Sequence, residues 1–258
     1  MKGSFRDIQW TLPAGKKVYF ASDFHFGIPD ELTSLAREKR VVAWLEGISA
    51  DAYAVFLQGD LFDAWIEYKR VVPRGFVRFL GKLAELSDRG IRVVVFTGNH
   101  DLWMTDYLQT EIGAIVHHDL QAYAINKKRF LLGHGDGVGD KETRYKAMKA
   151  LFRNPLSQRI YRGVHPFWGL GIASFFSRRG LKHREAGEAL KPDAEEYQWQ
   201  FAEKVLAEEH FDFILFGHRH IAQCRNMREG AVFINLGDWF KHDTHAVFDG
   251  DTVRLLNY

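Results

Sequence analysis

Five short apolar runs along the 258-residue chain are each followed at once by a cluster of aspartate, asparagine or histidine. Their length and their β-branched and aromatic content are typical of buried strands. Strands that alternate with helices favour parallel pairing, so this pattern predicts an α/β fold. The runs are VYFA (18–21), AYAVFL (52–57), IRVVVF (91–96), FLL (130–132) and FILF (213–216).

Helical spacing predicts helices over residues 32–48, 76–86 and 192–209. After the last apolar run, the segments AVFINLG, HAVFD and VRLLNY predict short strands separated by turns, in a β-meander rather than further βαβ units. A helical or irregular pattern between residues 141 and 188 interrupts the strand series. We therefore expect one domain over residues 1–258, with a helical cap insertion at about 141–190.

The polar clusters contain residue types that bind metal ions. Because the carboxyl ends of parallel strands meet at one edge of a sheet, these side chains are expected to converge. Oxygen and imidazole ligands without a thiolate favour Mn, Fe, Zn or Mg. The clusters contain Asp23 and His25, then Asp60 and Asp63, then Asn99, His100 and Asp101, then His134 and Asp136, and finally His218 and His220.

Composition excludes several classes of protein. The single cysteine, Cys224, forbids an intrachain disulfide and suits a reducing compartment. The first ten residues contain no apolar core of signal-peptide length, and no uninterrupted apolar run reaches the ~18 residues of a membrane span. Export and membrane spanning are therefore not expected.

Positive charge is concentrated in one window. Residues 143–184 contain ten lysines and arginines and no acidic residue, which leaves a net charge of −8 on the rest of the chain. Such a concentration indicates an anionic partner, for example a phosphate-bearing substrate, nucleic acid or anionic lipid.

The ordered motifs D-x-H, G-D-x-x-D, G-N-H-D, H and G-H-x-H, from Asp23 to His220, resemble those of the calcineurin-like metallophosphoesterase superfamily. The resemblance implies a four-layer αββα sandwich and two divalent metal ions, expected to be Mn²⁺. Such a pair of ions activates water and stabilises the charge that develops on a phosphoryl group.

The resemblance also assigns roles to residues. It implies that Asp60 bridges the two ions, and that His100 contacts the phosphate or protonates the leaving group, with Asn99 and Asp101 beside it and Asp101 orienting its ring. The ligands implied for the first ion are Asp23, His25 and His220, and those for the second are Asn99, His134 and His218.

Within the superfamily, the chain resembles the UDP-2,3-diacylglucosamine hydrolases of lipid A biosynthesis, in the Bacteroidetes-type form. The resemblance is carried by GDLFDAWIEY with Trp65, by HGDGVGDKETRY with Asp136 and Tyr145, and by a basic, aromatic-rich insertion. It implies attack of water on the α-phosphorus, which yields UMP and 2,3-diacylglucosamine 1-phosphate (lipid X). The proteobacterial pattern has arginine where this chain has His100.

The insertion has the chemistry that a diphosphate with two acyl chains requires. We expect Asp136 and Tyr145 to contact substrate, apolar side chains to line an acyl pocket, and basic ones to bind phosphate or the cytoplasmic face of the inner membrane, where the protein would be peripheral. The plainer alternative is a helix pair on the sheet with a solvated charged edge. The apolar set is Phe167, Trp168, Leu170, Ile172, Phe175 and Phe176, and the basic set is Arg178, Arg179, Lys182 and Arg184.

Three other functions remain open alternatives. A soluble phosphomonoesterase or phosphodiesterase would act on nucleotides or phosphoproteins. A nucleic-acid phosphodiesterase is disfavoured, because residues 164–176 carry no charge and their aromatics are clustered rather than interleaved with basic residues. A non-enzymatic scaffold is disfavoured because every expected metal ligand is present.

Overall fold

The computed structural model describes residues 4–139, 143–172, 175 and 196–258. In that part of the chain, twelve strands form two six-stranded sheets. The first sheet has the spatial order β12 (Val253–Asn257), β11 (Thr244–Phe248), β2 (Lys17–Ala21), β3 (Ala52–Gln58), β4 (Arg92–Phe96) and β5 (Ile115–His117). The second has the order β1 (Asp7–Trp10), β6 (Gln121–Ile125), β7 (Lys128–Leu132), β8 (Phe213–Phe216), β10 (Val232–Leu236) and β9 (Ala222–Asn226).

The pairing agrees with the alternation of strands and helices. Strands β2, β3, β4 and β5 are parallel, as are β7, β8 and β10. All five predicted apolar runs are strands, and the ends of these strands bring the polar clusters to neighbouring positions.

Three clusters of buried apolar side chains hold the helices and sheets together in four layers. The inner faces of the two sheets pack together through large aromatic side chains, with Phe20 stacked between Phe56 and Phe130 at ring-centroid distances of 5.2 and 5.9 Å. Helices α1 (Glu31–Ile48), α2 (Val77–Asp88) and α3 (Tyr107–Ile112) cover the outer face of the first sheet, while α7 (Tyr197–Glu208) covers the second. The predicted αββα sandwich is confirmed.

The predicted meander at the end of the chain is wrong. Strand β10 pairs in parallel with β8 in the second sheet, whereas β11 and β12 form an antiparallel hairpin on β2 in the first sheet. The chain changes sheets between Leu236 and Thr244, and apolar side chains of both β10 and β11 pack in the cluster between the two sheets. The short strands β1, β5, β6 and β9 were not predicted, and α7 begins at Tyr197 rather than at residue 192; residues 192–195 lie outside the described part.

Between β7 and α7, the described residues form three helices: α4 (Thr143–Arg153), α5 (Pro155–Tyr161) and α6, which is helical over residues 166–172. Asn154 caps α5, since its side chain accepts hydrogen bonds from the amides of Leu156 and Ser157. We call this region the α4–α6 segment. Among the described residues, no helix is long and apolar enough to span a bilayer.

Candidate metal centre

The predicted ligands lie on tight loops at the ends of strands. Five of them adopt positive φ values, in the left-handed region that non-glycine residues rarely occupy. Backbone strain of this kind clusters at functional sites and is maintained by the surrounding structure. The five residues are Asp23 (φ 59°), His25 (43°), Asp60 (52°), His218 (70°) and His220 (51°).

A first ligand cluster contains Asp23, His25 and His220, whose ligating atoms lie within 4.8 Å of one another. The Nε2 atoms of the two histidines are 3.2 Å apart, and His220 Nε2 is 3.2 Å from Asp23 Oδ1. These are the three side chains predicted for the first ion, and they converge from strands β2 and β8.

A second cluster contains Asp60, His134 and His218, again with ligating atoms within 4.8 Å. Asn99 joins it, since its Oδ1 lies 3.3 Å from His134 Nε2. One oxygen of Asp60 links the two clusters: Oδ2 is 3.3 Å from His134 Nε2 and 3.4 Å from His25 Nε2. Asp60 thus occupies the position between the clusters that a bridging carboxylate requires.

The donor set suits divalent cations. The buried Oδ1 atom of Asp23 makes no hydrogen bond of good geometry, although His220 Nε2 lies 3.2 Å away; a metal ligand tolerates this arrangement and an ordinary buried carboxylate does not. Glycine gives the backbone its close approach, because a Cβ on Gly98 would lie 2.2 Å from Asp60 Oδ1 and one on Gly217 would lie 2.4 Å from Asp23 Oδ2. The residues therefore fit a centre for divalent metal.

The Nδ1 atoms of two ligand imidazoles face fixed groups. His134 Nδ1 lies 2.8 Å from the Gln58 carbonyl oxygen, so Nε2 is directed at Asp60. His25 Nδ1 lies 3.8 Å from Asp63 Oδ1. A hydrogen bond of the kind that His134 makes sets the tautomer and the orientation of a metal-binding histidine, whereas 3.8 Å at His25 is too long for a hydrogen bond.

The expected partner of His100 has to be corrected. The Asp101 carboxylate accepts hydrogen bonds from the backbone amides of Leu61 (2.8 Å) and Gly98 (2.6 Å), so it shapes the loop instead of orienting the ring. His100 Nδ1 is placed by Asp63, at 2.8 Å from its carbonyl oxygen and 3.6 Å from Oδ1. Asp63 is the second aspartate of the G-D-x-x-D motif, three residues after Asp60. The motif therefore already contains the residue that places His100.

Electrostatics couples the carboxylates to the imidazoles. Burial opposes protonation of the histidines, but the Asp60 charge raises the pKa of His134 to about 10 and that of His25 to about 9. Burial lowers the pKa of His218 to about 3, with the His134 charge acting in the same direction. A cation that binds His25 and His134 must displace protons, so metal affinity rises with pH.

A hydrogen-bonded lock beneath the centre was not predicted. Gln198 of α7 donates to the carbonyls of Gly135 and Gly217, each at 3.1 Å, and accepts from Asn235 Nδ2 at 2.8 Å. All of these groups are buried. The lock joins the loops that carry His134 and His218. Glutamine and asparagine lie outside the motifs, so nothing in the sequence singles them out.

The structure describes only some of the residues that are predicted to contact substrate. Asp136 accepts hydrogen bonds from Tyr145 (2.5 Å) and Lys149 (2.6 Å), which joins α4 to the loop of His134. Phe167, Trp168, Ile172 and Phe175 are exposed, and Leu170 is half-buried. The remaining predicted residues, Phe176, Arg178, Arg179, Lys182 and Arg184, lie outside the described part of the chain.

The fold and the ligand clusters define a metallophosphoesterase. A family model described as calcineurin-like phosphoesterase matches residues 16–222. The chain therefore belongs to the calcineurin-like phosphoesterase family of metal-dependent hydrolases, which confirms the predicted family and enzyme class.

Individual proteins extend the comparison. A Porphyromonas gingivalis protein named UDP-2,3-diacylglucosamine hydrolase is 43% identical over 255 residues, covering 93% of this chain and 96% of that protein. A Haemophilus influenzae protein of the same name is 26% identical, covering 88% and 92%. Among solved structures, a Danio rerio dimetal phosphatase aligns with a TM-score of 0.44 and 14% identity, covering 94% of this chain and 96% of that one.

Proposed function

We propose that this chain hydrolyses the diphosphate of UDP-2,3-diacylglucosamine in lipid A biosynthesis, giving UMP and 2,3-diacylglucosamine 1-phosphate. The observation that carries the proposal is the similarity to the Porphyromonas gingivalis protein of that name, which extends over nearly the whole of both chains. The ligand clusters and the exposed apolar α4–α6 segment are the two features that this reaction on this substrate requires.

We propose that the two clusters hold two divalent ions, and we expect both to be Mn²⁺. Asp23, His25 and His220 would hold one ion, Asn99, His134 and His218 the other, and Asp60 both. Such ions activate a water molecule and neutralise charge on the phosphoryl oxygens. Asp60 has to be ionised for this role. Burial disfavours the anion, but the neighbouring His134 imidazole keeps the pKa of Asp60 well below its ordinary value.

His100 is proposed to contact the phosphate or protonate the leaving oxygen. Its ring is partly buried beside the first cluster, with its centroid 4.8 Å from that of His25. Nδ1 of His100 faces Asp63, and we propose that the Nε2 atom acts on substrate. Asp63 is therefore proposed as the positioning residue in place of Asp101.

The acyl chains are proposed to lie against the α4–α6 segment. Four of its large apolar side chains are at least 65% exposed, an arrangement that indicates contact with lipid or another apolar partner. The segment would also let the enzyme work peripherally at the cytoplasmic face of the inner membrane. The four side chains are Leu156, Ile160, Phe167 and Trp168.

The direct test compares two substrates that share the UDP-sugar diphosphate. Protein with Mn²⁺ is incubated with UDP-2,3-diacylglucosamine and, in parallel, with UDP-N-acetylglucosamine, and UMP is measured. We expect UMP from the acylated compound alone, and none after chelation of the metal. Equal release from both substrates would favour the soluble phosphoesterase alternative, and release from neither would reject the substrate.

A further inference from the structure

A cavity of about 380 Å³ opens beside the second ligand cluster. His134 and Asp136 form one wall, and α4 forms another. Its volume is within the range of small-molecule sites, which is roughly 300–1,000 Å³. The cavity therefore adjoins a metal ligand and is large enough for part of a substrate.

One face of α4 gives the cavity positive charge. Lys146, Lys149 and Arg153 all line it, and their spacing of three and four residues places them on the same side of the helix. They face two carboxylates: Lys149 lies 2.6 Å from Asp136, and Arg153 lies 2.7 Å from Asp119. Cations outnumber anions among these groups, so an anion is the favoured occupant.

Two phenylalanines also line the cavity. Phe96 ends strand β4 and is buried, while Phe201 of α7 is half-buried. Phe201 offers a partly exposed aromatic ring beside the cations, and a nucleotide can use both, because a base packs on an aromatic ring while its phosphate binds lysine. An acyl chain would find these charged groups unfavourable.

The apolar part of the α4–α6 segment is attached to a different side of the centre. The ring of Tyr161 in α5 packs on Trp103 at 4.5 Å, and Arg162 donates to the Glu67 carbonyl at 3.1 Å. The same loop lies against His100, whose carbonyl oxygen accepts from the Trp65 amide at 3.3 Å. The exposed apolar side chains of α5 and α6 thus lie on the His100 side, and the basic cavity lies on the His134 side.

We infer that the cavity binds the uridine 5′-phosphate half of the substrate, an inference that rests on the proposed function. The oxygen of water bonds to the α-phosphorus, and the bond from that phosphorus to the bridging oxygen breaks. The bridging oxygen leaves with the acylated sugar phosphate and takes a proton. The leaving half lies on the His100 side, so the retained nucleotide half lies in the cavity.

The test measures the affinity of each product separately. Lys146→Glu reverses a charge on an exposed side chain, so folding should be unaffected. We expect the dissociation constant of UMP to rise about tenfold or more, that of 2,3-diacylglucosamine 1-phosphate to change less than about twofold, and Lys146→Arg to keep UMP affinity.

Lys127→Glu is the matched control. Lys127 is an exposed lysine in the turn before β7. The length of that strand, about 16 Å, separates it from the loop of His134. An unchanged UMP affinity in Lys146→Glu, an equal loss for both products, or an equal loss in Lys127→Glu would overturn the inference.

The two proposals fail in different ways. If the wild-type chain releases no UMP from UDP-2,3-diacylglucosamine yet binds UMP in a Lys146-dependent manner, the proposed substrate is rejected and the nucleotide site stands. If it hydrolyses that substrate while Lys146→Glu binds UMP normally, the function stands and the cavity assignment is rejected.

Discussion

The metal centre and the α4–α6 segment are built in opposite ways. The ligands are buried or partly buried, five of them lie in the left-handed backbone region, and Gln198 and Asn235 hold the loops of His134 and His218, whereas the segment exposes large apolar side chains. Under the proposed function, such a centre would keep two cations and a phosphoryl group in register. Under the same function, the exposed apolar surface would select among substrates without altering the chemistry. The difference would then separate reaction from selection.

Removing the link between the clusters should give the largest effect. Asp60→Asn keeps the shape of the side chain but removes the charge that spans two cations. We expect turnover to fall by at least about a thousandfold, while circular dichroism and the melting temperature show a folded protein. Near-normal turnover in this variant would contradict the bridging role.

His100 and Asp63 should show a smaller, graded loss. His100→Asn removes the proposed acid, and we expect kcat to fall by about a hundredfold with metal content unchanged. Asp63→Asn keeps the carbonyl that holds Nδ1 at 2.8 Å, so we expect about a tenfold loss. Metal content is measured by mass spectrometry in both; a larger loss in Asp63→Asn than in His100→Asn would contradict this order.

A glycine pair tests how closely packed the centre is. Gly59 and Gly90 have similar positive φ values, but a Cβ on Gly59 would lie 2.6 Å from His134 Nδ1, while one on Gly90 would meet nothing within 4 Å. We expect Gly90→Ala to lower the free energy of unfolding by about 1 kcal/mol and Gly59→Ala by about 3 kcal/mol.

Metal affinity is measured in the same two variants as a control. Only Gly59→Ala should weaken it, because only that substitution displaces a ligand. Equal destabilisation in the two variants, measured by denaturant titration, would show that the clash at His134 is relieved at no cost.

The α4–α6 segment should affect binding alone. Replacing both Phe167 and Trp168 with serine should raise KM for UDP-2,3-diacylglucosamine about tenfold, because two aromatic surfaces no longer cover acyl chains. Hydrolysis of a small soluble phosphodiester and metal content should stay unchanged. The control replaces Leu32 and Val77, 80% and 74% exposed on α1 and α2, with serine; the same rise in KM there would remove the segment from substrate selection.

The convergence of the candidate ligands could be predicted from the sequence because its signals are local. Each ligand follows an apolar strand by a few residues, and parallel pairing brings such ends together without any further information. The lock formed by Gln198 and Asn235 could not be predicted, since those residues meet only after α7 packs on the second sheet. The orientation of His100 was misassigned to Asp101 because sequence adjacency was favoured over Asp63, which is 37 residues distant.

Edge strands and the change of sheet were missed for a related reason. Strand β5 has three residues and β9 is largely polar, so neither carries the apolar signal of a central strand. The tail strands were predicted individually, but their assignment to different sheets depends on which sheet edge remains unpaired. That is a property of the whole fold rather than of the segment.

The most direct test of the two-ion centre is anomalous diffraction from crystals of the full chain soaked with Mn²⁺. We predict two manganese peaks on opposite sides of the Asp60 carboxylate. One should lie among Asp23, His25 and His220, and the other among Asn99, His134 and His218. A single peak, or a peak held by Asp63 and His100 in place of either, would contradict the account.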